Sequence, residues 1–319
     1  MKDVLVWTGH DDAALCAALG PVPGLRIHTA QSASEAQALM AHVDGLIINV
    51  MRWNADFARA LAAPRLAWVQ IVNAGFDNME QLGVPDRVVV STIGDIASGV
   101  VAEHAMALLL ALVRHVPQSL SAQHRAEWNR RIAPTGTLAD SNVAVLGYGH
   151  IGQRVASLLE VFGARPLVVA STERRTPNGI HVRAIESLQS VLAQASALVI
   201  CAPLNDGTRK VIDAAALNAM RAGSCLVNIS RGAIVDTDAV VAALESDVLA
   251  GAALDVMDPE PLPASHPLWR HPNVLITPHV ASSGPSGPEQ ARLRAFLVEQ
   301  VRRFVNGDEV LYRARMKRS

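Results

Sequence analysis

Short apolar runs and helically periodic segments alternate along the chain, and that alternation is the first structural signal. Residues 4–7, 25–28, 45–49 and 67–72 are apolar runs bounded by polar or turn residues, so each reads as a strand. Residues 11–19 between them read as a helix opening on acidic residues. Ser32-Ala33-Ser34-Glu35 has the form of a capping box, with Ser32 as N-cap and Glu35 reaching back to it. Residues 97–115 are apolar nearly all round and predict a buried helix that links two domains. A polar stretch, 123–137, holds Trp128 and Pro134 and reads as a loop or arm. A second series then predicts strands at 143–146, 167–170, 197–202, 225–229, 250–254 and 274–277. Its helices fall near 151–162, 185–194, 214–220 and 237–246. A Gly- and Pro-rich turn at 283–288 precedes an amphipathic helix over 288–305, and the basic tail 312–319 reads as a solvated terminus. Strand–helix alternation in both series predicts an α/β chain of two Rossmann-like or flavodoxin-like domains, each with a parallel sheet, and a cleft between them.

Composition narrows the function classes. Half of the 319 residues are hydrophobic, 18% are charged and only 4% are aromatic, which excludes global disorder and suits strands buried under helices. A net charge of −1 argues against a nucleic-acid partner and against a membrane surface. Cys16, Cys201 and Cys225 are widely spaced without a CxxC pair, and the histidines show no metal spacing, so no metal site is expected. The start has no signal-peptide layout, and a cytoplasmic protein is expected.

The glycine loop carries the clearest chemistry. Gly147-Tyr148-Gly149-His150-Ile151-Gly152 is GxGxxG directly after an apolar strand, and Ile151, Val155, Leu158, Leu159 and Phe162 share one face of the helix it opens. Gly147 makes the tight turn, Gly149 clears the approach of a pyrophosphate, and Gly152 allows close helix–strand packing. Backbone amides around His150 and Ile151 and the helix dipole then face the phosphates. An acid that would hold an NAD ribose is expected about 20 residues further on, where this chain has Ser171. Ser171 and Thr172 can donate to a 2′-phosphate, and Arg174 or Arg175 can pair with it, so NADP is expected as cofactor. NAD stays possible, with Glu173 on the ribose.

Ligands of open α/β sheets sit beyond the carboxyl ends of strands. Ala202 and Pro203, Arg231, Asp255 and His279 all follow predicted strands, and Glu260 lies in the turn-rich segment Asp258-Pro259-Glu260-Pro261. An Arg, a Glu and a His at sheet ends beside a dinucleotide loop can reduce a carbonyl next to a carboxylate. His104, on the long apolar helix, reads as a satisfied core histidine.

With these residues the chain resembles the D-isomer-specific 2-hydroxyacid dehydrogenases over essentially its whole length. The carriers are Val101-Ala102-Glu103-His104, the glycine loop, Asn228-Ile229-Ser230-Arg231-Gly232, Leu254-Asp255-Val256 with Glu260-Pro261, and Thr277-Pro278-His279. The resemblance implies Arg231, Glu260 and His279 as the catalytic trio and Asp255 as a contact to the nicotinamide carboxamide. It implies that backbone amides of Asn73-Ala74-Gly75-Phe76-Asp77, chiefly those of Ala74 and Gly75, hold the substrate carboxylate together with Arg231. Within the family the chain is most similar to the glyoxylate/hydroxypyruvate reductases, which often prefer NADPH. The expected reaction is NAD(P)H-dependent reduction of a small 2-oxoacid to the D-2-hydroxyacid, with His279 as proton donor and Glu260 favouring its charged form. A homodimer built through the cofactor domain is expected, with the 123–137 arm as a contact.

Asn73 stands where the family commonly has glycine, and Phe76 is bulkier than its usual counterpart. The position after the third strand faces the cleft in the family, so the resemblance implies that Arg52 or Trp53 touches the distal group of a substrate; a solvent-facing Arg stacked on Trp53 is the plain alternative. Two other functions stay open. One is a dehydrogenase of the same fold with a different donor, which Glu260 disfavours. The other is a non-catalytic, dinucleotide-sensing interaction protein. The motifs divide the chain into a discontinuous substrate domain, 1–97 plus 285–319, and a dinucleotide-binding domain, 98–284.

Overall fold

The structure, a computed structural model, describes residues 1–319 except 10, 62–64, 74, 131–135, 283–286 and 315–319. Two compact units divide the chain: Met1–Ala97 with Pro285–Ser319, and Ser98–Gly284.

In the first unit, strands β1 (Lys2–Trp7), β2 (Leu25–Thr29), β3 (Gly45–Ile48), β4 (Trp68–Ile71) and β5 (Val89–Ser91) form one sheet in the order β2-β1-β3-β4-β5. Every pairing is parallel. Helices α1 (Asp12–Leu19), α2 (Ala33–Met40), α3 (Ala55–Ala60) and α4 (Asp77–Leu82) make the crossovers. Strands β3 and β4 are buried on both faces, which is why they read as unbroken apolar runs. Ser32 caps α2 as expected, but Glu35 accepts from the Gln31 amide (2.7 Å) rather than reaching Ser32.

The second unit opens on α5 (Ser98–Val113), followed by α6 (Val116–His124). Strands β6 (Asn142–Leu146), β7 (Arg165–Ala170), β8 (Arg174–Arg175), β9 (His181–Ala184), β10 (Ala197–Ile200), β11 (Ser224–Asn228), β12 (Leu249–Leu254) and β13 (Val274–Ile276) form a sheet in the order β13-β12-β11-β10-β6-β7-β9-β8. Only the edge pair β8–β9 is antiparallel. Helices α7 (His150–Val161), α8 (Leu188–Leu192), α9 (Ala214–Asn218) and α10 (Thr237–Glu245) complete this unit. The apolar α5 packs on β11, β12 and α7, burying Val101, Ala105, Leu108, Leu109 and Leu112. It belongs to the second unit rather than bridging the two.

A buried polar cluster explains how the chain's last segment joins the first unit. Helix α11 (Pro288–Asn306) carries Gln300, fully buried, whose Nε2 donates to Gln70 Oε1 (2.8 Å) and whose Oε1 accepts from the Leu311 amide (2.8 Å). Ser91 Oγ donates to the same Gln70 oxygen (2.8 Å), and Trp68 Nε1 donates to Ser91 (2.9 Å). Phe304 stacks on Trp68 with ring centroids 4.7 Å apart. These satisfied polar groups fix α11 against β4 and β5 in one register.

Candidate active site

Strand register in the second unit brings the sequence-identified residues to one sheet end. Leu146, Ile200, Asn228, Leu254 and Ile276 pair in sequence across β6, β10, β11, β12 and β13. The glycine loop, Ala202, Arg231, Asp255 and His279 therefore leave the sheet from aligned carboxyl ends, on adjacent strands.

The glycine loop is shaped by contact. Gly147 has a φ of +98°, and a Cβ there would lie 2.5 Å from the Ala202 nitrogen. A Cβ on Gly152 would lie 2.1 Å from the Gly147 carbonyl oxygen. Gly149 differs: a Cβ there would meet nothing within 4 Å. The protein itself does not require glycine at 149, so the open space above the uncapped start of α7 fits a bound pyrophosphate.

The segment after β7 lies beside this loop. Arg174 donates to the Tyr148 carbonyl (3.4 Å), and its guanidinium stands 5.8 Å from the Tyr148 ring centroid. Ser171, Thr172 and Arg175 are exposed. Glu173, the alternative ribose ligand, pairs with His181 Nε2 (2.9 Å).

Ala202 links the cofactor loop to Arg231. Its carbonyl accepts from Ser230 Oγ, and Asn228 steadies the turn by accepting from the Ser230 amide (3.1 Å) and donating to the Arg231 carbonyl (3.0 Å). Gly232 follows, packed so tightly that a Cβ would lie 1.9 Å from the Met257 carbonyl carbon and oxygen. That approach sets the Arg231 turn against the segment carrying Glu260.

Glu260 is held at both oxygens. The Met257 amide donates to Oε1 (2.8 Å), and His279 Nδ1 donates to Oε2 (2.8 Å). Burial raises the Glu260 carboxyl, but the hydrogen bonds from His279 and Met257 and the charges of His279 and Arg231 outweigh it and hold it below its ordinary value.

His279 sits in the left-handed region at φ +53°, a backbone conformation costing about 1–3 kcal/mol. Asp255 maintains it. The His279 amide donates to the Asp255 carbonyl (2.7 Å), and the Asp255 carboxylate accepts from the Val280 (2.9 Å) and Ala281 (3.0 Å) amides. Thr277 Oγ1 donates to the same carboxylate (2.5 Å) and lies 3.1 Å from His104 Nε2. His104, expected as a satisfied core histidine, finds its partner in this polar group. The Asp255 side chain is 0% exposed, so in this structure the carboxylate serves as a strut under His279. The sequence reading missed that role, the contacts that Thr277 and Gly232 make, and the Met257 amide.

In the first unit, the expected carboxylate loop follows β4. Ala74 lies outside the described residues. Asn73, the departure from glycine, uses its side chain: Oδ1 accepts from the Val50 amide (2.8 Å) and ties the loop to the turn after β3. Phe76 packs partly buried against the core containing Trp53, Phe57 and Met79.

Comparison with known proteins follows the same lines. The family model described as D-isomer specific 2-hydroxyacid dehydrogenase, NAD binding domain, matches residues 106–281. A glyoxylate reductase of Aeropyrum pernix is 34% identical over 256 residues, 77% of this chain and 75% of that relative. A D-isomer specific 2-hydroxyacid dehydrogenase family protein from Aeromonas salmonicida superposes with a TM-score of 0.86 at 27% identity, covering 99% of both chains. A D-isomer specific 2-hydroxyacid dehydrogenase from Xanthobacter autotrophicus, solved with NADPH and MES, gives a TM-score of 0.80 at 28% identity over 98% of both chains. With its glycine loop, its Arg–Glu–His set and more than half its length matched, the chain belongs to the D-isomer specific 2-hydroxyacid dehydrogenase family and is an oxidoreductase with an NAD-binding domain.

Proposed function

We propose that the protein reduces a small 2-oxoacid of the glyoxylate or hydroxypyruvate kind to the D-2-hydroxyacid, with NADPH preferred and His279 as proton donor. The observation that carries this reading is Glu260, clamped between the Met257 amide and His279 Nδ1. The ionised carboxylate holds the imidazole by Nδ1 and so orients Nε2, the atom that would give a proton to a carbonyl oxygen.

Bound NADPH supplies the hydride to the carbonyl carbon. Negative charge then grows on the carbonyl oxygen, and His279 delivers a proton to it. With Nδ1 committed to Glu260, the transferred proton is the one on Nε2. Arg231 orients the carboxylate beside the reacting carbonyl and stabilises charge on its oxygen. Asp255 and Thr277 keep the His279 backbone in its strained conformation, so the ring does not need to be ordered during each turnover. In the oxidative direction His279 takes the proton back.

Arg174 over Tyr148, beside the exposed Ser171, Thr172 and Arg175, supports the preference for a 2′-phosphate. The Xanthobacter relative's complex with NADPH agrees with it. The test is a panel of 2-oxoacids, glyoxylate, hydroxypyruvate and phenylpyruvate among them, run with NADPH and NADH in parallel and with the chirality of the product determined. D-product formed faster with NADPH is expected. Tight dinucleotide binding without oxidation by any 2-oxoacid would overturn the reading.

A further inference from the structure

One acid stands in the stretch where the adenosine ribose is expected, and a histidine from further along the chain is folded back onto it. Position 171, where an acid would hold an NAD ribose, is Ser, and Glu173 is the only acidic residue from 171 to 183. A carboxylate reaching the ribose would accept from the free hydroxyls of NADH and repel the 2′-phosphate of NADPH. Left to itself, Glu173 opposes a preference for NADPH.

The structure engages Glu173 elsewhere. Strand β8 pairs antiparallel with β9, with Arg175 directly opposite His181 and Arg174 opposite Val182. The turn between them is closed by three bonds. The Thr176 amide donates to the Ile180 carbonyl (2.9 Å), the Ile180 amide to Thr176 Oγ1 (3.0 Å) and the Gly179 amide to the Thr176 carbonyl (2.9 Å). Strand β9 is anchored in its turn on β7, with Ala184 in register with Ala170 and Val182 fully buried. His181 is thereby carried back to the start of the hairpin, where its Nε2 donates to Glu173 Oε1 (2.9 Å).

The groups around the pair are basic. Directly opposed residues share a face of a hairpin, as do residues two apart on one strand, so Arg175, His181 and Arg183 lie on one face. Arg174 donates to the Thr172 carbonyl (3.2 Å) and to the Tyr148 carbonyl of the glycine loop (3.4 Å). The Glu173 and His181 side chains are 62% and 34% exposed, and a pair so open to water adds little to folding stability. Its effect falls on the choice between two coenzymes that differ only by the 2′-phosphate. Engaging Glu173 removes an attraction for one and a repulsion for the other.

We propose that His181 is a selectivity residue for the coenzyme: it holds Glu173 back from the adenosine ribose and leaves the 2′-phosphate to Arg174 and Arg175. It acts through Glu173, as a positioning residue rather than a ligand of the coenzyme. The inference rests on the NADPH preference proposed above and supplies the reason that preference survives an acid in the ribose stretch.

The test measures dissociation constants of NADPH and NADH from coenzyme fluorescence, at one pH and ionic strength. The proteins are the wild type, His181→Ala, His181→Gln, Glu173→Gln and the double variant His181→Ala, Glu173→Gln. Binding reports on the pair whether or not a 2-oxoacid is turned over. His181→Ala releases Glu173, so the preference for NADPH should fall about tenfold, the size of one hydrogen bond to a charged group. His181→Gln keeps a donor and should recover part of that loss. In Glu173→Gln the preference should equal or exceed that of the wild type, and adding His181→Ala should not change it further. A preference unchanged in His181→Ala, an equal weakening of both coenzymes, or the same fall in the double variant would each overturn this proposal alone. A wild type that binds NADH more tightly than NADPH would overturn it together with the NADPH preference.

Discussion

Replacing Gly232 by alanine tests whether the Arg231 turn and the Glu260 segment must meet as closely as they do. The added Cβ would lie 1.9 Å from Met257 C and O and 2.5 Å from the Asp258 nitrogen. Ordinary contacts are about 3.5–4.0 Å, so the two backbones must part by roughly 1.5 Å. Met257 supplies the amide on Glu260 Oε1, and Glu260 Oε2 holds His279, each at 2.8 Å. A displacement of that size takes at least one of these bonds past the roughly 3.5 Å at which it ceases to count. Misplacement by about 1 Å costs on the order of 10²-fold in rate, so kcat/KM for 2-oxoacid reduction should fall about 100-fold. Overpacking should cost about 1–3 kcal/mol, seen as a Tm lower by about 2–4 °C per kcal/mol. The assay is steady-state oxidation of NADPH, with cofactor binding followed separately by fluorescence to establish that the unit is folded. A Gly232→Ala protein whose kcat/KM stays within about threefold of wild type would refute the required approach.

Three further predictions concern the charges. Glu260→Gln removes the carboxylate that orients His279 through Nδ1, so kcat/KM for reduction should fall about tenfold or more with NADPH binding retained; an unchanged kcat/KM would exclude the dyad. Because the Glu260 carboxyl is held below its ordinary value in the folded protein, its contribution to stability is present above that ordinary value and is lost as pH falls through the lowered one. In the doubly substituted Arg174→Ala, Arg175→Ala protein, the preference for NADPH over NADH should drop roughly 10–100-fold in kcat/KM. An unchanged preference would remove the 2′-phosphate role from both residues.

Sequence reading found the parts of the site that chemistry restricts to one residue type. Gly147 and Gly152 are legible because no side chain fits where backbone meets backbone. Arg231, Glu260 and His279 are legible because each follows a strand or turn and carries a group the proposed reaction would need. What escaped were residues whose roles depend on a partner distant in sequence. Gly232 reads as an ordinary turn glycine until Met257 is placed against it. His104 reads as core because its helix is apolar all round, yet its ring reaches Thr277, on the far side of the unit's sequence. The long strands were legible from their apolar runs. Strands β5, β8 and β9 were not: two to four residues long, they are defined by pairing rather than by any periodicity of their own. Asn73 appeared only as a departure from the family pattern; its hydrogen bond to Val50 gives the departure a physical reason.

Proton donation by His279 is tested most directly by measuring single-turnover reduction of glyoxylate by NADPH in wild type and in His279→Asn at neutral pH. Loss of about 10²–10⁴-fold in the rate of hydride transfer, with NADPH binding retained, is the expected result. A His279→Asn protein that reduces glyoxylate at near wild-type rate would contradict it.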